Sequence, residues 1–267
     1  MRHRLSWLIA VWLVALLPAA AAELAKPVLL YSLYFQAPGE NRYAADGAYR
    51  EVVSRLREQF EVRLSPERPT ARQLRDVAVV LLANPNDVAH GTNPPPPHVA
   101  VRDVRVLEKF VRRGGGLIVF GNQEGHNLEV PDLNRLLARF GLQFTNRFHD
   151  AKVIPVPPAT PAIGGLRWGF YTGNEILLRA NNTARPTAWV ENPVAIPTAT
   201  GQRNEPGVLL ASASPGKGRV LVATDAGWIT DNALKELGIG NLTLRGQDNW
   251  EIFRRVCDWT AGRTASP

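Results

Sequence analysis

The chain alternates continuous apolar runs with amphipathic segments, and this alternation constrains its fold more than any other feature. Apolar runs at residues 28–35, 76–83 and 117–120 are typical of strands that are buried on both faces. Between them, residues 46–60 and 99–113 carry apolar side chains at helical spacing. This order predicts an α/β fold with a mostly parallel, flavodoxin-like sheet and helices on both faces.

Three predicted helices carry the strongest patterns. In the segment 99–113 the predicted inward stripe is Val101, Val104, Leu107 and Val111. A further helix begins near Pro131, and Gly141 is its expected C-terminal cap. The helix at residues 249–261 places Cys257 on its inner face, so we expect the lone thiol to be buried and structural.

Residues 149–215 break the pattern, because prolines cluster there and no helical period appears. Short strands are expected at residues 152–156, 175–178, 188–190 and 208–213. The segment is predicted to be an irregular, β-rich extension, either antiparallel strands or long loops packed on the same domain. The α/β pattern then returns, which favours a single domain over residues 23–267.

The first 22 residues resemble a secretory signal peptide. Arg2, His3 and Arg4 precede an apolar stretch at residues 5–17, and small residues follow up to Ala22. About 13 apolar residues are fewer than the roughly 20 that span a bilayer, which favours cleavage over a retained anchor. We therefore expect a periplasmic or secreted protein with no transmembrane anchor after cleavage.

Charge and aromatic content leave the partner open. The formal net charge is +7, and the basic residues are mostly arginines dispersed along the predicted helices, which is typical of a solvated surface. An exported protein with this pattern is not expected to bind nucleic acid. The aromatic residues of the irregular segment and of the strand ends either fill the core, which we favour, or stack on sugar rings. They are Trp168, Phe170, Tyr171, Trp189 and Trp228.

The turn after the run at residues 117–120 reads Gly-Asn-Gln-Glu-Gly, from Gly121 to Gly125. A strand that leads through such a turn into a helix is where a nucleophile stands in many α/β enzymes. The middle position here is Gln123, and an amide is not a nucleophile.

Residues 111–121, 133–141 and 216–225 resemble the class I glutamine amidotransferase-like superfamily. The closer similarity is to its non-catalytic branch, which includes domains of gliding-motility transporter auxiliary proteins and intraflagellar transport proteins. The resemblance implies a cysteine in the middle of the turn and a histidine after the later strand. Gln123 replaces the cysteine, and the later strand is followed by Asp225 with no histidine. Glutaminase activity is therefore not expected.

Polar side chains that follow the predicted strands are expected to meet at one edge of the sheet. The predicted ligand-binding crevice consists of Asn84, Asn122, Gln123, Glu124, His126, Asp225 and Trp228. As an alternative, Glu124, His126 and Asp225 would serve as acid and base in a periplasmic hydrolase. No histidine pair has metal-site spacing, and His90 and His98 are interpreted as loop residues. No metal or cofactor is therefore expected.

Together these features predict an exported, non-catalytic module for ligand binding or protein assembly in the cell envelope. An envelope protein or a glycan is the expected partner. The sequence does not indicate an oligomeric state.

Overall fold

The computed structural model describes residues 25–87, 91–122, 126–147, 149–150, 153–192, 206–236 and 245–263. The strands are β1 (Val28–Ser32), β2 (Glu61–Ser65), β3 (Val77–Ala83), β4 (Gly116–Phe120), β5 (Leu142–Phe144), β6 (His149–Asp150), β7 (Val153–Pro155), β8 (Arg167–Gly169), β9 (Thr172–Gly173), β10 (Ile176–Leu178), β11 (Thr187–Asn192), β12 (Gly207–Ala213) and β13 (Arg219–Ala223). The helices are α1 (Arg50–Leu56), α2 (Val101–Arg112), α3 (Pro131–Leu137), α4 (Asp231–Leu234) and α5 (Asn249–Thr260). Short 3-10 turns lie at Gln73–Arg75, Ala138–Phe140 and Gly227–Ile229.

The central sheet has nine strands within the described residues and consists of two halves. In the first half, β2, β1, β3, β4 and β13 lie side by side and are parallel. In the second half, β12 runs antiparallel to β13, and β10, β5 and β11 continue in antiparallel pairings. The predicted α/β fold is confirmed, and much of the irregular segment is an antiparallel continuation of the same sheet.

Successive side chains of a strand point to opposite faces of the sheet, so each parallel strand contributes to both cores. Leu29 and Tyr31 pack on the side that carries α1 and α5, which we call the aromatic face. Leu30 and Val80 pack on the side that carries α2 and α3, which we call the aliphatic face. Both faces are therefore covered by helices, as the continuous apolar runs predicted.

Helices α2, α3 and α5 are close to their predicted positions, whereas α1 covers only residues 50–56 of the predicted segment 46–60. Gly141 ends the 3-10 turn after α3 in the left-handed conformation, at φ 75°, as a C-terminal cap requires. The prediction for Val101 is wrong, because this residue is 55% exposed. Val101 is the first residue of α2, and the stripe that packs inward begins one turn later at Val104. Cys257 is completely buried in α5, as expected.

The aromatic residues of the extension belong to the core. Trp168 and Phe170 are fully buried, and the Trp168 ring lies 5.8 Å from that of Trp228, measured between ring centroids. Trp189 is also buried and contacts Trp259 of α5. The core interpretation of these rings is therefore confirmed. Among the described residues, no helix has the length and apolar character needed to cross a membrane.

Candidate functional site

A cavity of about 350 Å³ lies at the carboxyl edge of the parallel strands. Asn122 enters it from the segment after β4, Asp225 from the segment after β13, and Tyr43 from the loop between β1 and α1. Tyr171 closes it from the antiparallel extension. The complete lining is Arg42, Tyr43, Ala48, Asn122, His126, Tyr171, Thr172, Asp225, Gly227, Thr230 and Asn232.

Asp225 is the most perturbed acid in this cavity. Its side chain is fully buried, and desolvation raises its pKa from 3.8 to about 7. Backbone N–H groups oppose this rise, because Tyr171 N donates to Oδ2 at 2.8 Å and Gly227 N donates to Oδ1 at 2.6 Å. At neutral pH the carboxyl group therefore exchanges between its protonated and ionised forms.

The backbone packs closely around this carboxyl group. A Cβ atom on Gly173 would lie 1.7 Å from the carbonyl oxygen of Thr224, so any side chain at residue 173 would displace the end of β13. Tyr49 donates from its hydroxyl to the carbonyl oxygen of Ala226 at 2.5 Å, which fixes the residue after Asp225. The position of Asp225 is thus determined by two segments distant in sequence.

Asn122 is the second buried polar group of the cavity. Its backbone N–H donates to Oδ1 of Asn84 at 2.9 Å, and its Nδ2 lies 3.5 Å from the hydroxyl oxygen of Tyr43. Its Oδ1 has no hydrogen-bond partner among the described residues. Asn122 is therefore held by its backbone, and within the described residues its amide oxygen remains an unused acceptor.

Two tyrosines supply neutral hydroxyl groups. Burial raises the pKa of Tyr43 to about 12, and burial is also the main cause that raises the pKa of Tyr171 to about 12. Both phenols therefore stay protonated at physiological pH and can donate hydrogen bonds.

Arg42 and His126 form the outer wall. The guanidinium of Arg42 pairs with the buried carboxylate of Glu40 at 2.5 Å, so much of its charge is compensated inside the protein. Burial, with a smaller effect from Arg42, lowers the pKa of His126. The imidazole is consequently neutral at physiological pH.

Residues 49–245 match the family described as "Domain of unknown function (DUF4350)". The chain belongs to this family. No curated protein shows a significant match to this chain.

Solved structures are similar to this DUF4350 chain in fold. The N-terminal domain of mmIFT52 has 15% identity and a TM-score of 0.63, covering 87% of this chain and 96% of that one. STM1381 from Salmonella typhimurium LT2 has 14% identity and a TM-score of 0.56, with 87% and 98% covered. A ThuA-like protein from Bacteroides uniformis ATCC 8492 has 12% identity and a TM-score of 0.53, with 90% and 95% covered.

The structure brings three of the predicted crevice residues of this DUF4350 chain together, namely Asn122, His126 and Asp225. Two others differ from the prediction. Asn84 is fully buried behind the cavity, where its Nδ2 donates to the carbonyl oxygen of His126 at 3.1 Å. Trp228 lies in the 3-10 turn after β13 and is fully buried in the core, where its ring packs against Phe120 and Phe253.

Gln123 and Glu124 lie outside the described residues, as does His90. The sequence prediction also missed several groups of the cavity wall, including Arg42, Tyr43, Tyr171 and Thr230. The sequence predicts Tyr171 only as a core or stacking residue of the irregular segment. Tyr43 follows a polar loop with no periodic pattern, so local sequence contained no signal for its position.

Proposed function

We propose that this chain is an exported, non-catalytic amidotransferase-like module of the cell envelope, and that its cavity binds a small, uncharged polyhydroxylated ligand such as a saccharide unit of an envelope glycan. The observation that carries this proposal is the cavity itself, whose roughly 350 Å³ falls within the range of small-molecule sites. The signal-like sequence at residues 1–22 supports the envelope location.

The chemistry of the wall supports an uncharged ligand. Tyr43 and Tyr171 offer neutral hydroxyl groups, and Asn122 offers an amide. Arg42 is paired with Glu40, so it adds little net charge for an anionic ligand. Donors and acceptors next to aromatic rings are the combination that recognises hydroxylated rings.

The absent nucleophile supports a binding role. Gln123 stands where the amidotransferase-like enzymes have cysteine, and no histidine follows β13. The one cysteine, Cys257, is fully buried in α5, and burial raises the pKa of its thiol far above the usual range. A buried, protonated thiol cannot substitute for the missing nucleophile.

The binding test uses isothermal titration calorimetry with a panel of monosaccharides and amino sugars. Ala48→Leu adds bulk at the cavity wall and is expected to weaken binding at least about tenfold, which corresponds to roughly 1.4 kcal/mol. The control is Ala180→Leu, the same change at an exposed position, which should bind like the wild type.

Two results would contradict the saccharide proposal. One is that no saccharide binds, and the other is that Ala48→Leu leaves the affinity unchanged. Recovery of a specific envelope protein in a pulldown, together with absent saccharide binding, would favour the protein-assembly form of this module.

A periplasmic hydrolase is the second candidate, and one observation favours it. Asp225 and His126 line the same cavity. The pKa of Asp225 is raised, which favours its protonated form, and the pKa of His126 is lowered, which favours its neutral form. Such a pair can supply one proton donor and one proton acceptor. Turnover of chromogenic esters or glycosides that is lost in both His126→Ala and Asp225→Asn would establish this activity. The third group of this alternative, Glu124, is tested by Glu124→Gln.

A further inference from the structure

A second polar cluster lies where the segment after β3, the segment before α2 and the start of α3 meet. It consists of Asp87, His98, Glu129 and Asp132, and none of these residues lines the cavity. One ligand atom from each of His98, Glu129 and Asp132 lies within 4.8 Å of the other two. We propose that these three side chains bind a divalent transition-metal ion of the Zn²⁺ class, which joins α3 to the segment before α2.

The distances suit a common ion. Nδ1 of His98 lies 3.3 Å from Oδ2 of Asp132 and 4.0 Å from Oε1 of Glu129. Ligand atoms at about 2.0–2.2 Å from a tetrahedral zinc are about 3.3–3.6 Å apart. The His98–Asp132 distance already matches this separation, and the other ligand atoms lie within 4.8 Å, so small side-chain movements would complete the set.

The remaining ring nitrogen provides an independent argument. Nε2 of His98 is shielded from solvent and lies 3.5 Å from Oδ1 of Asp87, without forming a regular hydrogen bond. A histidine that binds a metal usually directs its other N–H toward a carboxylate or a carbonyl. When Nε2 carries the ring proton, the lone pair of Nδ1 faces the carboxylates of Glu129 and Asp132. A cation bound between these three groups would remove the resulting repulsion.

The charge around Glu129 also favours a cation. The Glu129 side chain is 2% exposed, and His98 is the one basic group within 4.0 Å of it in the described parts of the chain. Asp132 pairs with Arg135 at 2.8 Å. Three carboxylates and one guanidinium leave a net charge of −2 when His98 is neutral, which a divalent ion balances.

The start of α3 holds Glu129 in position. Its Oε1 accepts the N–H of Asp132 and its Oε2 accepts the N–H of Leu133, both at 2.8 Å. A carboxylate has about four lone-pair sites, so these bonds leave capacity for an ion. The histidine nitrogen favours Zn²⁺ over Mg²⁺ and Ca²⁺, which prefer oxygen ligands throughout.

The experiment titrates ZnCl₂ into the chelator-treated chain, carrying no polyhistidine tag, by isothermal titration calorimetry. We expect one saturable site and, at saturating Zn²⁺, a rise in Tm of at least about 3 °C that EDTA reverses. His98→Ala and Asp132→Asn should lower the affinity at least about 100-fold. Asp87→Asn should lower it about 10-fold, because Asp87 only orients the ring.

The matched control is Glu108→Gln, which removes a carboxylate that pairs with Arg112 and Arg139 elsewhere on the aliphatic face. Its Zn²⁺ affinity should equal that of the wild type. Far-UV circular dichroism without metal establishes that each variant folds. If His98→Ala does not fold, Asp132→Asn and Asp87→Asn decide the question by themselves.

The proposal is overturned if no saturable Zn²⁺ site is found, if Asp132→Asn binds as tightly as the wild type, or if Mg²⁺ and Ca²⁺ bind as well as Zn²⁺. A different result would be a protein that is stabilised by acid only when His98 is present and that does not bind Zn²⁺. The cluster would then be an ion pair of the protonated His98 with its carboxylates. That outcome also overturns the metal assignment.

Discussion

The two faces of the central sheet are filled by different side chains, although the same strands supply both. Leu, Val and a few Phe side chains fill the aliphatic face, where α2 and α3 pack. The buried tryptophans, among them Trp168 and Trp228, lie on the aromatic face with α1 and α5. The cavity borders the aromatic face, and Tyr43 belongs both to the core of that face and to the cavity wall. The comparison teaches that residues 149–215 contribute to both faces, but they give the aromatic face large rings such as Trp168 and the aliphatic face smaller side chains such as Ile176 and Ala211.

Removal of an aromatic ring should give the largest effect. Trp168→Ala is expected to destabilise the fold by about 4 kcal/mol, because the ring is fully buried against Phe170 and Trp228. Urea unfolding measures the change. Leu136→Ala, on the aliphatic face, should cost about 3 kcal/mol, and exposed Leu177→Ala less than about 0.5 kcal/mol. A loss below 1 kcal/mol for Trp168→Ala would show that the extension does not complete this core.

The buried acid of the cavity should make stability depend on pH. The folded pKa of Asp225 is about 7 and exceeds its ordinary value of 3.8, so the folded state keeps a proton that the unfolded state releases. The resulting stability is full below about pH 4 and is lost as the pH rises through about 7. The maximum change is about 4 kcal/mol, from 1.36 kcal/mol per unit of pKa.

Asp225→Asn isolates this contribution. The amide places an NH₂ group toward one of the two backbone donors, so the variant should be less stable than the wild type by about 1–3 kcal/mol at pH 5. The difference should shrink as the pH rises to 8, because only the wild type loses its bound proton. Urea unfolding at several pH values measures it, and a constant difference would contradict the raised pKa of Asp225.

The aliphatic face has a buried carboxylate too, but this one is paired. The Asp103 side chain is 1% exposed, and Arg68 contacts its Oδ2 at 2.6 Å. Arg68→Ala should cost about 2 kcal/mol, less than a fully buried pair, because Arg68 itself remains partly exposed. Thermal unfolding measures the loss, and Arg72→Ala serves as the nearby control at an exposed position. Equal effects of the two changes would argue against a stabilising pair.

The smallest expected effect concerns the cavity wall. Tyr43→Phe removes a hydroxyl group whose bond to Nδ2 of Asn122 is long, at 3.5 Å. The free energy of unfolding should fall by at most about 1 kcal/mol. Saccharide affinity should fall more clearly, because a donor to the ligand is lost. Calorimetry compares the affinity, and an unchanged value would exclude Tyr43 from recognition.

Local patterns predicted the parallel half of the sheet well. Apart from Ser32 at the end of β1, the strands β1, β3 and β4 carry no hydrophilic side chain except the Tyr31 hydroxyl, because both faces of these strands are covered. The sequence does not predict β5, since three residues are too few to display a period. The first turn of α2 was also misread, because the helical period continues to Val101 although no neighbour covers it there.

The candidate site could be predicted only in part. Asn122 and Asp225 follow strands, and the parallel order brings strand ends together, so their meeting follows from the topology. Tyr171 reaches the same cavity through a bond between its backbone N–H and Asp225, 54 positions away. His98 and Glu129 meet across 31 positions without any metal-binding motif between them. Such contacts depend on tertiary packing, which local sequence does not specify.

The position of β13 has a consequence for how the molecule assembles. This late strand lies between β4 and β12, so it joins the two halves of the sheet. Until residues 219–223 pair with β4, the parallel half has an open edge and Asp225 is not held beside Asn122. Contacts between distant parts of a chain close slowly, because loop entropy must be lost first. We therefore expect the cavity at the carboxyl edge to form in the last steps of folding, after the first half of the chain has already collapsed.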